Sequence, residues 1–146
     1  MSDIHPDAGY ELTKLTKGAP LCSEKALFDI DEQGEWSYLG EPLPNKFARL
    51  FSSVLHRIDD QCFLITPVER LRVRVADAAL LIVDYEHEDN AFLLDSSLGT
   101  QHSVIDVNGF DLKDDGIYLE LERGLKGKLG RACYYRFINE FIISAD

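Results

Sequence analysis

The sequence is poor in cysteine, methionine and tryptophan, and it has no long apolar run. Its 146 residues include three cysteines, one methionine and one tryptophan. An odd number of widely spaced cysteines excludes the disulfide framework of a small secreted domain. No run of about eighteen apolar residues could cross a membrane, and the polar start Met1-Ser2-Asp3 is unlike a secretory signal. We therefore expect a cytoplasmic protein that does not associate with membranes.

Positive charge is also scarce. The chain has 15 Lys and Arg against 26 Asp and Glu, which gives a formal net charge of −11. Binding to a nucleic-acid polymer requires a basic footprint that neutralises phosphates, so we do not expect this class of partner. The hydrophobic fraction of 45% is typical of a globular protein, and the length suffices for one domain or two very small ones.

Known catalytic and metal-binding motifs are missing. The four histidines are scattered, and neither H-E-x-x-H nor G-x-S-x-G occurs. Asp29-x-Asp31-x-Gln33-Gly34 resembles the start of a calcium-binding loop, but the twelfth position is Gly40 where a bidentate carboxylate is required. The glycine-rich segment 124–130 lacks the spacing of a phosphate-binding Walker loop. The sequence therefore predicts no catalytic residues, no metal site and no cofactor.

Hydrophobic periodicity predicts both helices and strands. Apolar residues at helical spacing from Phe47 to Ile58 predict a helix that starts near Asn45, and a second helix is predicted over 126–143. Short apolar or alternating segments predict strands at 27–30, 35–39, 62–65, 71–75, 80–83, 91–94, 103–107 and 117–121. The mixture indicates an α+β protein.

An internal repeat indicates how these elements are organised. Phe28-Asp29-Ile30, followed by Gly34 and Trp36, recurs 82 residues later as Phe110-Asp111-Leu112, followed by Gly116 and Tyr118. The apolar stripe of the first helix recurs in the last helix at nearly the same offset. Each pattern is common on its own, but their joint recurrence favours duplication.

We therefore predict an α+β fold of two small lobes related by duplication, in which each antiparallel sheet has one amphipathic helix. The domain boundaries are predicted as an irregular N-terminal arm at 1–26, an N-terminal lobe at 27–76 and a C-terminal lobe at 77–146. Neither lobe has the 80 residues that usually support an independent core, so each should depend on the other for stability.

Arginines are concentrated in two places. Arg70, Arg72 and Arg74 alternate with apolar residues and should emerge from one face of a strand, and segment 123–136 has five cations and no acid. In an acidic protein such clusters create a local field for an anionic ligand, and the planar guanidinium suits phosphate or carboxylate. The alternative is that these arginines only pair with the surplus Asp and Glu.

Several segments resemble a bacterial family, domain-of-unknown-function family 1285. They are Gly34-Glu35-Trp36-Ser37-Tyr38-Leu39-Gly40-Glu41-Pro42-Leu43, Phe63-Leu64-Ile65-Thr66-Pro67-Val68-Glu69, Arg72-Val73-Arg74-Val75-Ala76-Asp77-Ala78, Arg123-Gly124-Leu125 and Arg131-Ala132-Cys133-Tyr134-Tyr135. The resemblance runs from about Leu27 to the end of the sequence. It implies a duplicated core, a C-terminal lobe superficially like a pleckstrin-homology fold, and a ligand site between the lobes. A nucleotide-like ligand and a signalling role are also implied.

The functional hypothesis is a non-catalytic binding module that recognises an anionic, nucleotide-like ligand at the interface of its lobes. Arg72, Arg74 and Arg131 would neutralise the anion and Thr66 would donate a hydrogen bond. Either Trp36 or Tyr134 would supply a stacking face. The alternative is a protein-interaction adaptor with no small-molecule ligand, which would recruit its partner through a sheet edge or an apolar patch.

Overall fold

The computed structural model describes residues 8–18 and 22–143. The chain divides into two compact units, and the boundary between them in the sequence lies between Asp77 and Ala78. Among the described residues, no helix is both long enough and apolar enough to span a membrane.

The first unit is a six-stranded sheet with two short helices. Its elements are α1 (Ala8–Leu15), β1 (Cys22–Ile30), β2 (Trp36–Tyr38), β3 (Glu41–Pro42), α2 (Asn45–Ser52), β4 (Leu55–Ile58), β5 (Gln61–Ile65) and β6 (Arg70–Val75). The strand order is β3-β2-β1-β6-β5-β4. Neighbouring strands are antiparallel except β1 and β6, which run parallel at the centre of the sheet.

Alternation along the strands produces the core of the first unit. Leu71 and Val73 of β6 are buried, together with Leu64 of β5, which is paired with Leu71. Helix α2 covers this face, because the ring of Phe51 packs edge-on against Phe28 with centroids 6.1 Å apart. Burial of such aromatic side chains contributes about 2 to 3 kcal/mol each, so the α2–β1 contact is a main source of stability here.

A buried carboxylate holds helix α1 to the rest of the first unit. Glu69, in the turn between β5 and β6, is only 3% exposed. Its carboxylate accepts hydrogen bonds from the hydroxyls of Thr13 and Thr16, at and just beyond the end of α1. The turn is itself ordered by Thr66, whose hydroxyl accepts the backbone N–H groups of Val68 and Glu69. A buried carboxylate without such donors would be strongly destabilising, so these bonds fix α1 on the turn.

The second unit has the same strand plan. Its elements are β7 (Leu80–Glu88), β8 (Ala91–Ser96), β9 (Gln101–Val104), β10 (Phe110–Lys113), β11 (Gly116–Glu120), β12 (Lys126–Leu129) and α3 (Arg131–Phe137), which continues as a π-helix over Ile138–Ile143. The strand order is β10-β11-β12-β7-β8-β9, and the parallel pair is again the central one, β12 with β7.

Aromatic residues form the core of the second unit. Phe137 of α3 stacks on Phe110 with centroids 4.6 Å apart, and the buried rings of Tyr85 and Phe92 are 5.7 Å apart. The Tyr85 hydroxyl donates to Glu140 at 2.6 Å, and this bond lowers the pKa of that carboxyl. Because Tyr85 is buried, its own pKa is raised. The aromatic cluster therefore joins the terminal helix to the sheet.

The duplicated α+β fold is confirmed, but its repeat pairs different segments from those predicted. In the β4–β5 hairpin Leu55 pairs with Leu64 and Ile58 with Gln61. In the β10–β11 hairpin Phe110 pairs with Leu119 and Lys113 with Gly116, so every position recurs 55 residues later. The predicted offset of 82 compared β1–β2 with β10–β11, which occupy different places in the strand order. The central parallel pairs also differ from the fully antiparallel sheets that were predicted.

The first predicted helix is too long. It ends at Ser52, and the predicted helical positions Leu55 and Ile58 belong to β4. The hydroxyls of Ser52 and Ser53 donate back to the carbonyls of Arg49 and Leu50. Such bonds compete with continued helix, so two adjacent serines end α2 where the apolar spacing alone predicted that it would continue.

The closing helix and the N-terminal arm also differ from prediction. Segment Lys126–Leu129 is strand β12, and α3 begins only after Gly130. Gly127 and Leu129 are buried while Lys126 and Lys128 are half-buried, which is strand alternation. The irregular arm predicted over 1–26 is wrong for the described part, which contains α1 and the start of β1. The rest of that arm lies outside the described residues.

The Glu69 interaction leads to a stability prediction. Thr16→Val removes the hydroxyl donor while it preserves the side-chain volume, and it leaves a buried carboxylate with one donor fewer. We expect the free energy of unfolding to fall by about 1 to 3 kcal/mol, measured by urea denaturation. Thr13 is exposed and also donates to Glu69, so Thr13→Val is the matched control and should lower the free energy of unfolding by less. An unchanged urea midpoint in Thr16→Val would show that this bond contributes nothing.

Candidate functional site

The three arginines of β6 emerge on one face of the sheet, as predicted from their alternation. Arg72 pairs with Phe63 of β5, and the guanidinium groups of Arg70 and Arg72 both lie over the ring of Phe63. The guanidinium carbon lies 4.3 Å from the ring centroid for Arg70 and 5.9 Å for Arg72. The electron-rich face of Phe63 therefore holds two guanidinium groups in place, which reduces the freedom that they would lose on binding a ligand.

The arginines differ in their ion pairs. Arg74 Nε donates to Asp29 Oδ1 at 2.6 Å, and this hydrogen bond raises the pKa of the guanidinium. For Arg70 and Arg72 no ion pair exists with any described residue. The hypothesis that the arginines only pair with surplus carboxylates is therefore correct for Arg74 and wrong for its two neighbours. This leaves uncompensated positive charge in a protein of net charge −11.

A bulge in β1 lies opposite Arg72. Along the parallel pair, Ser23 is level with Leu71 and Phe28 is level with Val73. Four residues of β1 therefore lie opposite one residue of β6, and β1 leaves the regular ladder at this point. A cleft of about 390 Å³ opens here, and it is lined by Ala26, Asp60, Gln61, Cys62, Arg72, Val73, Arg74 and Val75. All of these residues belong to the first unit.

Arg72 is the most unusual polar group in the cleft. Its Nη2 donates to the amide oxygen of Gln61. Its Nε–H is buried and has no acceptor among the described residues. A buried donor without a partner costs about 1 to 3 kcal/mol, and an acceptor supplied by a ligand would recover that cost.

Cys62 lines the same cleft but is not an activated nucleophile. Burial raises the pKa of its thiol, and the nearby Arg57 guanidinium opposes this effect only in part. Nucleophilic cysteines have a lowered pKa, because the thiolate is the reacting species. Cys62 therefore contributes a small apolar surface to the cleft.

Two other predicted ligand residues of the first unit have structural roles. Trp36 is 3% exposed and packs edge-on against Phe28 in the core, with centroids 6.4 Å apart. The Thr66 hydroxyl accepts two backbone N–H groups in the β5–β6 turn. The described lining of the cleft includes neither residue.

The remaining two predicted residues belong to the second unit. Arg131 is the exposed first residue of α3, and Tyr134 is half-buried with its ring edge-on to Tyr135 at 5.3 Å. Of the six predicted residues, the structure brings Arg72 and Arg74 together in one cleft. A joint site for all six stays a prediction.

A hydrogen-bonded chain in the second unit was not expected from sequence. Ser96 Oγ accepts the backbone N–H groups of Leu98 and Thr100, so its own proton is directed to Thr100 Oγ1 at 2.6 Å. Thr100 in turn lies 2.8 Å from His102 Nε2, and His102 Nδ1 lies 2.8 Å from Glu122. The chain joins Ser96 to Glu122, which are 26 positions apart in the sequence, so this contact becomes apparent only in the folded structure.

The order hydroxyl, imidazole, carboxylate is that of an acyl-transfer triad, but other requirements are not met. His102 is 7% exposed, which restricts access to its ring. The backbone N–H groups of the adjoining turn, from Ser97 to Thr100, all donate to acceptors inside the unit. This described turn therefore has no free donor to stabilise an oxyanion. We interpret the chain as a structural link between β9 and the turn before β12.

Comparison with known proteins agrees with this architecture. A family model described as "Domain of unknown function (DUF1285), N-terminal domain" matches residues 15–78. A crystal structure of a DUF1285 family protein from Shewanella baltica OS155 is 57% identical, with a TM-score of 0.78, over 84% of this chain and 98% of that one. The chain belongs to the DUF1285 family.

A second DUF1285 structure, from Silicibacter pomeroyi DSS-3, shares the fold. It is 24% identical with a TM-score of 0.71, and the match covers 92% of this chain and 85% of that one. No curated protein matches the chain. The resemblance inferred from sequence is confirmed, and DUF1285 membership by itself assigns no function.

The buried thiols of this DUF1285 protein allow a test of reactivity. Burial raises the pKa of Cys133 to about 11, and that of Cys62 is raised as well. Near pH 8 both should react with iodoacetamide far more slowly than in urea-unfolded protein. The rate at Cys133 should rise about tenfold per pH unit until it levels off near pH 11. Peptide mass spectrometry after timed alkylation distinguishes the cysteines, and fast labelling of either at pH 7 would contradict their assignment as structural thiols.

Proposed function

We propose that this protein is a non-catalytic binding module that holds a small anionic ligand in the cleft beside the β1 bulge. The observation that carries the proposal is the state of Arg72, which has no carboxylate partner and a buried Nε–H without an acceptor among the described residues. An oxyanion placed against this group would satisfy both the charge and the hydrogen bond.

The surroundings of Arg72 support the same function. Its guanidinium is held on Phe63, and its Nη2 is oriented by Gln61. A cleft of about 390 Å³ is large enough for a small metabolite. Because none of the described lining residues is a histidine, and the one cysteine has a raised pKa, the lining favours binding over catalysis.

The range of ligand classes that fit this proposal is defined by charge. Phosphate, pyrophosphate, carboxylates and nucleotides all present oxygens that a guanidinium can bind. A binding module of this kind would act in signalling if occupancy of the cleft altered its contacts with another protein.

A ligand screen with a paired set of variants tests the proposal. Purified protein is titrated with sodium pyrophosphate, AMP and sodium butanoate at low ionic strength, and melting temperature and calorimetric heat are recorded. At least one probe should raise the melting temperature, since a ligand in hundredfold excess over its Kd stabilises by about 2.7 kcal/mol. Arg72→Gln should weaken that binding by about 10- to 100-fold, because it removes the charged donor.

The matched control is Arg49→Gln. Arg49 is exposed on α2 in the same unit and lies outside the cleft lining. This substitution removes the same charge and should leave binding unchanged. Equal loss in both variants would show a nonspecific charge effect. Absence of binding by all three probes would also contradict the proposal.

A further inference from the structure

The charges and the apolar lining of the cleft restrict the class of ligand further than its size does. We infer that the cleft binds an aliphatic monocarboxylate, a molecule with one negative charge and a short hydrocarbon body. This inference rests on the proposed function, because it concerns the ligand of the same cleft.

The first argument is the number of uncompensated charges. Arg74 lines the cleft but is paired with Asp29 at 2.6 Å. Asp60 also lines it and is paired with Arg57 at 2.8 Å. Arg72 is the one charged lining residue that has no ion pair among the described residues. Arg70, which shares the ring of Phe63 and also has no ion pair with any described residue, does not belong to the described lining of the cleft. The lining itself therefore offers one uncompensated guanidinium, which matches one carboxylate, whereas a phosphate dianion would bring a second negative charge close to Asp60.

The second argument is the shape of the donor. The guanidinium of Arg72 is planar, and carboxylate oxygens accept from such a fork in its own plane. The Gln61 amide already accepts from Nη2, and the Nε–H is buried without an acceptor among the described residues. A carboxylate in the cleft accepts from this Nε–H once the guanidinium turns toward the ligand.

The third argument is the remaining lining. Four of the eight lining residues are small and apolar, namely Ala26, Cys62, Val73 and Val75, and of these Ala26 and Val75 are the half-buried ones that leave apolar surface exposed. None of the described lining residues is aromatic, so the cleft offers a nucleobase no aromatic ring on which to stack. Small aliphatic groups are the surface that a saturated chain buries, at a gain for each methylene.

The test is a chain-length series measured by isothermal titration calorimetry. The probes are sodium acetate, butanoate and hexanoate, with hexanamide as the neutral analogue and pyrophosphate and AMP as comparison anions. The Kd should fall about two- to fourfold for each added methylene, because a half-open cleft buries part of each group. Hexanamide should bind at least tenfold more weakly than hexanoate, and Arg72→Gln should weaken hexanoate by a similar factor.

Two variants test the apolar part separately from the charge. Val75→Thr keeps a β-branched residue opposite Ile30 in the strand, and it should reduce the gain per methylene without changing acetate binding. Ala26→Leu enlarges a side chain in the bulge and should weaken hexanoate more than acetate, which provides the same test if the threonine variant does not fold. Arg49→Gln again serves as the unaffected control.

The outcomes distinguish the two proposals. The monocarboxylate inference is overturned if the Kd is the same for acetate, butanoate and hexanoate, or if hexanamide and hexanoate bind with equal Kd. If pyrophosphate or AMP binds more tightly than hexanoate and depends on Arg72, the inference is wrong while the proposed function stands. If no probe binds, both proposals fail.

Discussion

The parallel pairing of the first and last strands is the constraint on which each unit depends. β1 pairs with β6, and β7 with β12, although about 40 residues separate the members of each pair. Parallel neighbours cannot be joined by a tight turn, so a long segment of chain must connect them. The strands in this segment have to lie outside the central pair. In each unit this material becomes two meanders, one on either side of the centre. The pairing also creates the candidate site, because the bulge in β1 faces β6 at Arg72.

The sequence predicts the strands better than their partners. Alternation of Arg70, Arg72 and Arg74 with buried neighbours is a local signal, and it correctly places the arginines on one face. The bulge opposite Arg72 depends on how β6 pairs with β1, which lies 45 residues earlier in the chain. The register between such distant strands cannot be predicted from a local sequence pattern. For the same reason the cleft lining from β5, including Gln61 and Cys62, could not be assigned to a site from sequence.

The repeat shows where a stronger local signal was available. Ile58-Asp59-Asp60-Gln61-Cys62-Phe63-Leu64 and Lys113-Asp114-Asp115-Gly116-Ile117-Tyr118-Leu119 share a pair of aspartates, an aromatic residue and a leucine at equal spacing. Both aspartate pairs connect the strands of equivalent hairpins. The positions of the helices do not reveal the repeat, because α2 lies between β3 and β4 in the first unit, whereas α3 follows the last strand of the second unit. Duplicated units can therefore keep the register of a hairpin while the helix that covers the sheet moves to another place.

The equivalent hairpins also explain why binding is assigned to the first unit. Phe63 pairs with Arg72, and the matching Tyr118 pairs with Lys128. Three ammonium groups surround Tyr118, those of Lys113 and Lys128 at 5.4 Å and that of Lys126 at 5.8 Å from the ring centroid.

Carboxylates accompany that second cluster. Asp111 lies 3.7 Å from the Lys113 ammonium, and Asp115 accepts from the Tyr118 hydroxyl at 3.3 Å. Around Phe63 the two guanidinium groups have no such carboxylate among the described residues. The two units thus place cations on an aromatic ring in the same register, and in the first unit the two guanidinium groups have no carboxylate partner among the described residues. An anion gains most where the protein has not already supplied the counter-charge, and this is why we place the proposed ligand in the first unit.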